Sequence, residues 1–191
     1  MIYSSTILNT ENGDFKVNYH EFDSGNCLTL IKGEINTDEP LFVRVHSSCL
    51  FSQSFHTIDC DCSKQLISSM QEIARIGKGV IVYLDQEGRG IGLKNKIKSM
   101  EYERVHGVDT SEAFRALGYD KLDYRDYTSA AKALHEIGCK KIKLASNDPR
   151  KLEFFSKNGF EMISREKLDY ETNEHIDKYL ETKKKKLGHL I

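Results

Sequence analysis

The chain has 191 residues, 39% hydrophobic and 30% charged, with 28 Lys and Arg against 29 Asp and Glu for a net charge of −1. That length suits one domain over residues 1–191, able to bury roughly 70% of its unfolded surface without disulfides. The balanced charge excludes a broad nucleic-acid-coating surface but leaves room for a local anion pocket, and no apolar run reaches the roughly 18 residues of a membrane span. Residues 1–16 lack the basic start and sustained apolar stretch of a secretory leader, so the five cysteines point to a reducing, cytoplasmic compartment.

In chain order, the first 45 residues read as strands and turns, with Leu28–Ile31 and Leu41–Val45 as short apolar segments parted by Gly33. From Lys64 to Ile76 the period changes: Leu66, Ile67, Met70, Ile73 and Ala74 share a helical face, and Gly77 stops the helix. Val80–Leu84 reads as a buried strand running into a Gly-rich loop and a further helix. Tyr127, Ala130, Ala131, Leu134 and Ile137 mark a helix ended by Gly138, followed by a strand at Ile142–Ala145. Residues 146–149 form a turn opening a helix with Pro149 at its first position, and Gly159 closes it before a strand around Glu161–Ile163. Strands alternating with helices predict a layered α/β/α domain with a mixed, partly parallel sheet. The run Lys183 to Lys186 reads as a solvated helix end favoured by the helix dipole.

Cys49, Cys60 and Cys62 form the strongest chemical signal. Three thiolates with an open fourth position suit a catalytic zinc ion, whose bound water becomes more acidic. A closed structural site would need a fourth ligand, which His46 or His56 could supply; three unrelated buried thiols remain the plain alternative. Cys27 and Cys139 lack metal spacing and read as small core residues.

The loop Asp85 to Gly92 sets Arg89 among three glycines after a strand, where ligands of α/β sheets gather. Glycine lets backbone approach a ligand, and Arg89 can grip phosphate with two donors; a merely flexible turn is the alternative. Asp123 and Arg125, two residues apart, point to one side if extended, or form a surface ion pair. Ser146 and Lys151 flank a strand-to-helix turn, which suits a phosphate or a plain helix cap.

Together these segments resemble GTP cyclohydrolase II, the zinc enzyme that commits GTP to riboflavin synthesis. The resemblance runs over nearly the whole chain, through Arg44-Val45-His46-Ser47, Cys49, Cys60-Asp61-Cys62, Gln65-Leu66, and Gln86 to Leu93. It continues through Asn95-Lys96-Ile97, Asp109-Thr110, Asp123-x-Arg125-Asp126-Tyr127, Ser146 to Lys151, Asn173-Glu174-His175, Tyr179 to Lys183 and Gly188-His189-Leu190. It implies one zinc per subunit on Cys49, Cys60 and Cys62, and hydrolysis at C8 of the guanine that opens the imidazole ring. A second hydrolysis would release formate, and cleavage between the α and β phosphates would release pyrophosphate with magnesium on the triphosphate. GTP contacts carry over to Arg44, Val45, His46, Ser47, Ser48, Gln65, Glu87, Gly88, Arg89, Thr110, Ser146 and Lys151. The family's proton acceptor carries to Asp123 and its phosphoryl acceptor to Arg125. A guanidinium with a pKa above about 12 is almost never neutral, so a clamp on phosphate charge suits Arg125 better. A homodimer is also implied, with neither nucleic acid nor membrane as partner.

Several positions depart from the family. The tyrosine usually found shortly after Asn95-Lys96-Ile97 is Met100 here, and a thioether cannot act as acid or base. Tyr102, two residues on, falls on another helix face. Asp59 stands for Arg, Ser63 for Gly, Ser48 for Glu, Ser146 for Thr and Arg150 for Lys. If the missing hydroxyl serves deformylation, ring opening stops at a formylamino-pyrimidine. A nucleotide-binding protein without turnover is the competing class.

Overall fold

The alternation of apolar residues in the first half builds strands, and the computed structural model, which describes residues 1–190, sets them in one sheet. The chain runs through β1 (Ile2–Thr10), β2 (Gly13–His20), β3 (Cys27–Lys32), β4 (Leu41–Ser47), the single turn α1 (Leu50–Gln53), α2 (Cys62–Ile76) and β5 (Gly79–Leu84). A tight 3-10 turn at Glu87–Gly90 leads to α3 (Leu93–His106), α4 (Thr110–Ala116) and α5 (Thr128–Glu136). Then come β6 (Lys141–Ala145), α6 (Pro149–Lys157), β7 (Glu161–Glu166) and α7 (Glu174–Leu187).

The seven strands lie in the order β1-β2-β3-β5-β4-β6-β7. The pairs β1–β2, β2–β3 and β3–β5 are antiparallel, whereas β5–β4, β4–β6 and β6–β7 are parallel. The sheet is therefore mixed, as its alternation of strands and helices predicts. Strand periodicity sorts its two faces. Leu41, Val43 and Val45 of β4 and Val80, Val82 and Leu84 of β5 point to one core with Ala130 and Leu134 of α5 and Phe155 of α6. Phe42 and Ile81 point the other way, onto Ile73, Leu66 and Met70 of α2. Arg44 and His46, in step with Phe42, are thereby turned toward the α2 side.

Helix α2 starts at Cys62 rather than Lys64, so the last cysteine of the cluster is its first residue. Ile67, expected on the buried face, is 47% exposed, because the core stripe runs through Leu66, Met70 and Ile73. Pro149 occupies the first turn of α6 as predicted, and Asp148 caps that helix by accepting from Arg150 N. Cys27 and Cys139 are core residues, and burial pushes both thiols up to about 12.

The lysine run departs from the solvated expectation. Lys184 and Lys185 are exposed, but Lys183 is buried against the Tyr179 ring and pairs with Asp61 at 3.2 Å. Lys186 pairs with Asp109. Lys183 turns inward because its long stem carries the ammonium from α7 to Asp61, the residue that precedes α2. Among the described residues no helix is long and apolar enough to cross a membrane.

Candidate functional site

Where β4 ends, the chain turns so that Cys49 precedes α1, and Cys60 and Cys62 flank Asp61 at the start of α2. The three Sγ atoms lie within 4.8 Å of one another, with 3.8 Å between Cys49 and Cys60. Sulfur ligands about 2.3 Å from a tetrahedral zinc sit about 3.8 Å apart, so this donor set fits the ion. Neither His46 nor His56 joins the cluster among the described residues; His46 stacks on Tyr83 and His56 is exposed. Three thiols and no fourth protein ligand make an open site rather than a closed structural one.

The surroundings favour a thiolate at Cys49. Hydrogen bonds from the other two thiols, together with the nearby Lys96 ammonium, pull its pKa down, whereas the neighbouring thiols and burial raise those of Cys60 and Cys62, so the metal-free cluster holds one negative charge rather than three. Lys96 Nζ lies 3.3 Å from Cys49 Sγ and 2.7 Å from Glu87 Oε1. Asp61, fully buried, does not cap α2. Its carboxylate instead accepts from Gln65 Nε2 at 2.5 Å, Tyr170 OH at 2.7 Å and Lys183 Nζ at 3.2 Å. The step between the two cysteines is thus tied to α2, to the segment after β7 and to α7.

A cleft opens beside the thiols. Ser47, Ser48, the three cysteines, Glu87, Gly88, Arg89, Thr110 and Arg125 all line it, and so does Met100. The Gly-rich loop is a shaped structure rather than a slack turn. Gly88 and Arg89 hold φ of +61° and +58°, the left-handed region, which is costly for arginine. Glu87 accepts from Leu50 N at 2.7 Å, Arg89 O accepts from Tyr124 N at 2.8 Å, and Arg89 Nη2 is buried without a partner. The Asp123–Arg125 pair is buried rather than on the surface, with side chains 3% and 16% exposed.

Four other expected contacts lie around a second, smaller cavity: Arg44, Gln65, Ser146 and Lys151. Arg44 Nη1 donates to Ala145 O at 2.8 Å, Nη2 donates to Gln65, and Nε is buried without a partner. Lys151 Nζ donates to Val45 O at 2.8 Å. Burial, then the charges of Arg125 and Arg44, push the Lys151 pKa well below its usual value. Arg44 and Lys151 are themselves held by carbonyl and amide oxygens, and with Lys183 they outnumber Asp148 and Glu166 on the cavity wall, which suits an anion. Two expected contacts do not reach either cavity. The Val45 side chain is in the core, leaving only its carbonyl near the site, and His46 is buried behind it.

A family model described as GTP cyclohydrolase II matches residues 2–167. The chain belongs to the GTP cyclohydrolase II family. It is 42% identical over 184 residues to the riboflavin biosynthesis protein RibBA of Chlorobium phaeovibrioides, covering 95% of this chain and 44% of that relative. It is 41% identical over 187 residues to the GTP cyclohydrolase-2 of Haemophilus influenzae (strain PittEE), covering 96% and 86%. The chain thus spans less than half the length of the RibBA relative. A solved structure of RibBX, a two domain 3,4-dihydroxy-2-butanone 4-phosphate synthase from A. baumannii, is 19% identical with a TM-score of 0.48, over 90% of this chain and 40% of that chain.

Several site residues escaped the sequence reading. In this family member Asp61, Lys96, Glu103, Tyr170, Tyr179 and Lys183 all touch the thiols, their loop or a cavity wall. Lys96 and Lys183 lie in segments that carry the family resemblance, but their spacing alone marks no chemistry. Helix α7 lies beyond the matched residues 2–167, yet Tyr179 lines the first cavity and Lys183 the second.

Proposed function

We propose that this chain hydrolyses GTP, opening the guanine imidazole ring at C8 and releasing pyrophosphate, to give a pyrimidine ribonucleotide for riboflavin or a related pathway. The observation that carries this reading is the open three-thiol cluster at the wall of a cleft lined by Glu87, Arg89 and Thr110. Cys49, Cys60 and Cys62 would hold zinc, which supplies Lewis acidity and an acidified water.

The remaining work falls to the chain's own side chains. Ser47, Ser48, Glu87, Gly88, Arg89 and Thr110 would hold the nucleoside in the first cleft. Arg44, Gln65, Ser146 and Lys151 would receive phosphate, and magnesium arriving with the triphosphate would supply further charge neutralisation. Arg125 would clamp charge developing on the α-phosphate, and Asp123 would orient it, accepting a proton only once substrate phosphate has drawn the Arg125 and Arg150 guanidiniums off its carboxylate. A cytoplasmic homodimer is the expected assembly; the edge strand β1, which exposes Tyr3, Ile7 and Leu8, is consistent with a partner.

One observation favours a shortened reaction. Met100 lines the cleft, while Tyr102 is stacked on His106, 4.1 Å between ring centroids, and does not line it. With a thioether where the family carries a phenol, ring opening would stop at the formylamino-pyrimidine.

Mass spectrometry of the products from GTP, zinc-loaded protein and magnesium, with a parallel formate assay, tests both readings. A formylated ring-opened product without formate is the expected result. A diamino-pyrimidine with one formate per turnover would keep the cyclohydrolase and remove the shortened reaction. Intact GTP despite bound zinc would favour a nucleotide-binding protein without turnover.

A further inference from the structure

Glu103 is a half-buried carboxyl on the wall of the main cleft and makes no ion pair among the described residues. Ser99 Oγ donates to its Oε1 at 3.1 Å and Thr110 Oγ1 donates to its Oε2 at 3.0 Å. Each oxygen is thereby fixed in place while keeping acceptor capacity. Burial pushes its pKa up, opposed by these two hydroxyls.

Its position along α3 is informative. Lys96, Met100 and Glu103 are spaced four and three residues apart and share one helix face. Lys96 reaches the cysteine end, 3.3 Å from Cys49 Sγ. Glu103 stands seven residues on, about 10 Å along the helix axis. That span accommodates a purine lying along the helix, with one end at the thiols and a hydrogen bond at the other. Arg89, in the same cleft, carries a buried Nη2 without a partner.

We propose that Glu103 selects guanine, its carboxylate accepting from N1–H and from the exocyclic amino group, while Arg89 Nη2 donates to O6. The inference rests on the GTP reading and deepens it by naming the base-reading residue. Guanine presents two adjacent donors beside an acceptor, which a carboxylate next to a guanidinium complements. Adenine presents an acceptor at N1, which a carboxylate repels. Thr110 then acts by fixing the carboxylate rather than by touching the base.

The test is steady-state kinetics of zinc-loaded wild type and Glu103→Gln with GTP, inosine triphosphate and xanthosine triphosphate. Inosine lacks the amino group, and xanthosine carries a carbonyl in its place. Glutamine offers one acceptor and one donor, matching xanthine N1–H and its C2 carbonyl. The expected result is a kcat/KM for GTP lowered at least about 10-fold, a smaller loss with inosine triphosphate, and an XTP-to-GTP ratio raised at least about 10-fold. Zinc content stays that of wild type. Thr110→Val, which frees one carboxylate oxygen, shifts the GTP-to-inosine ratio the same way by less, and serves if Glu103→Gln does not fold. Equal losses on all three substrates, or unchanged ratios, would overturn the base-reading role while leaving the GTP reading intact. Wild type that neither binds nor converts GTP would overturn both.

Discussion

Arg125 grips Asp123 with two prongs, Nε 2.9 Å from Oδ1 and Nη2 2.5 Å from Oδ2, and Arg150 Nη2 adds a third contact at 2.7 Å. Burial alone would lower the Arg125 pKa and raise that of Asp123, but the pairing outweighs it. Arg125 is held above, and Asp123 below, the usual range. A guanidinium so held keeps its proton and cannot attack phosphorus, although it can meet developing negative charge. Arg125→Met is therefore expected to lower kcat by about 100-fold or more, and Arg125→Lys to retain part of the activity. Intact-protein mass spectrometry of quenched turnover should show no nucleotidyl adduct on wild type; an accumulating adduct would restore the nucleophile role.

Gly90 joins two segments far apart in sequence. At φ +89°, a Cβ there would sit 2.8 Å from the Tyr124 carbonyl carbon and 3.0 Å from Arg125 N. Neither backbone atom can swing aside as a side chain could, so Gly90→Ala must shift the Asp123–Arg125 segment or the loop. The expected outcome is a loss of at least about 1 kcal/mol in stability and a disproportionate loss of kcat/KM. Thermal melting beside GTP kinetics checks this; unchanged kinetics would mean the two segments need not touch.

Cys60→Ser removes one of three soft ligands. Metal analysis should find one zinc per chain in wild type and almost none in the variant. The melting temperature should fall less than activity, because the cores lie on the sheet faces away from the thiols. A chelator should reproduce the loss. Full zinc retention by the variant would sink the three-thiol site.

His189 packs near Asp148, and burial lowers its pKa from 6.5 to about 4 despite that carboxylate. Between about pH 6.5 and 4 the unfolded chain takes up a proton that the folded chain refuses. Its contribution to stability is complete above pH 6.5 and falls away as pH drops through that window. Asp123 and Asp148, also depressed, lose their contribution only below about pH 4. Urea unfolding across pH should show both stages; burial also holds His46 well below its usual value, so His189→Asn should shrink the upper stage without abolishing it and leave the lower one unchanged. A slope unchanged in the variant would place that proton elsewhere.

Met100→Tyr restores a hydroxyl to the cleft wall. If its absence halts the reaction after ring opening, the variant should release formate where wild type releases none. A formate assay decides it, and formate from wild type at full stoichiometry would make the methionine silent.

The layered fold and the three-thiol cluster were legible in the residues themselves. Burial repeats every two residues in a strand and about every 3.6 in a helix, so Leu41–Val45, Val80–Leu84 and the Leu66–Ile73 stripe announce themselves locally. Cys60-Asp61-Cys62 is equally local, and its short step leaves both thiols on one turn of chain. Tertiary structure alone decided the rest. Asp123 and Arg125 looked like a surface pair until α6 brought Arg150 and Asp148 beside them. Strand register turns the Val45 side chain into the core and leaves its carbonyl to accept from Lys151, a distinction the residue type does not carry. Lys183 looked solvated until α7 brought it to Asp61. Glu103 carried no motif, because its meaning depends on a cleft assembled from α3, α4 and the loop after β5. Periodicity encodes which face of an element is buried; it does not encode which distant element supplies the partner, since that is set by how the packed layers close around the site.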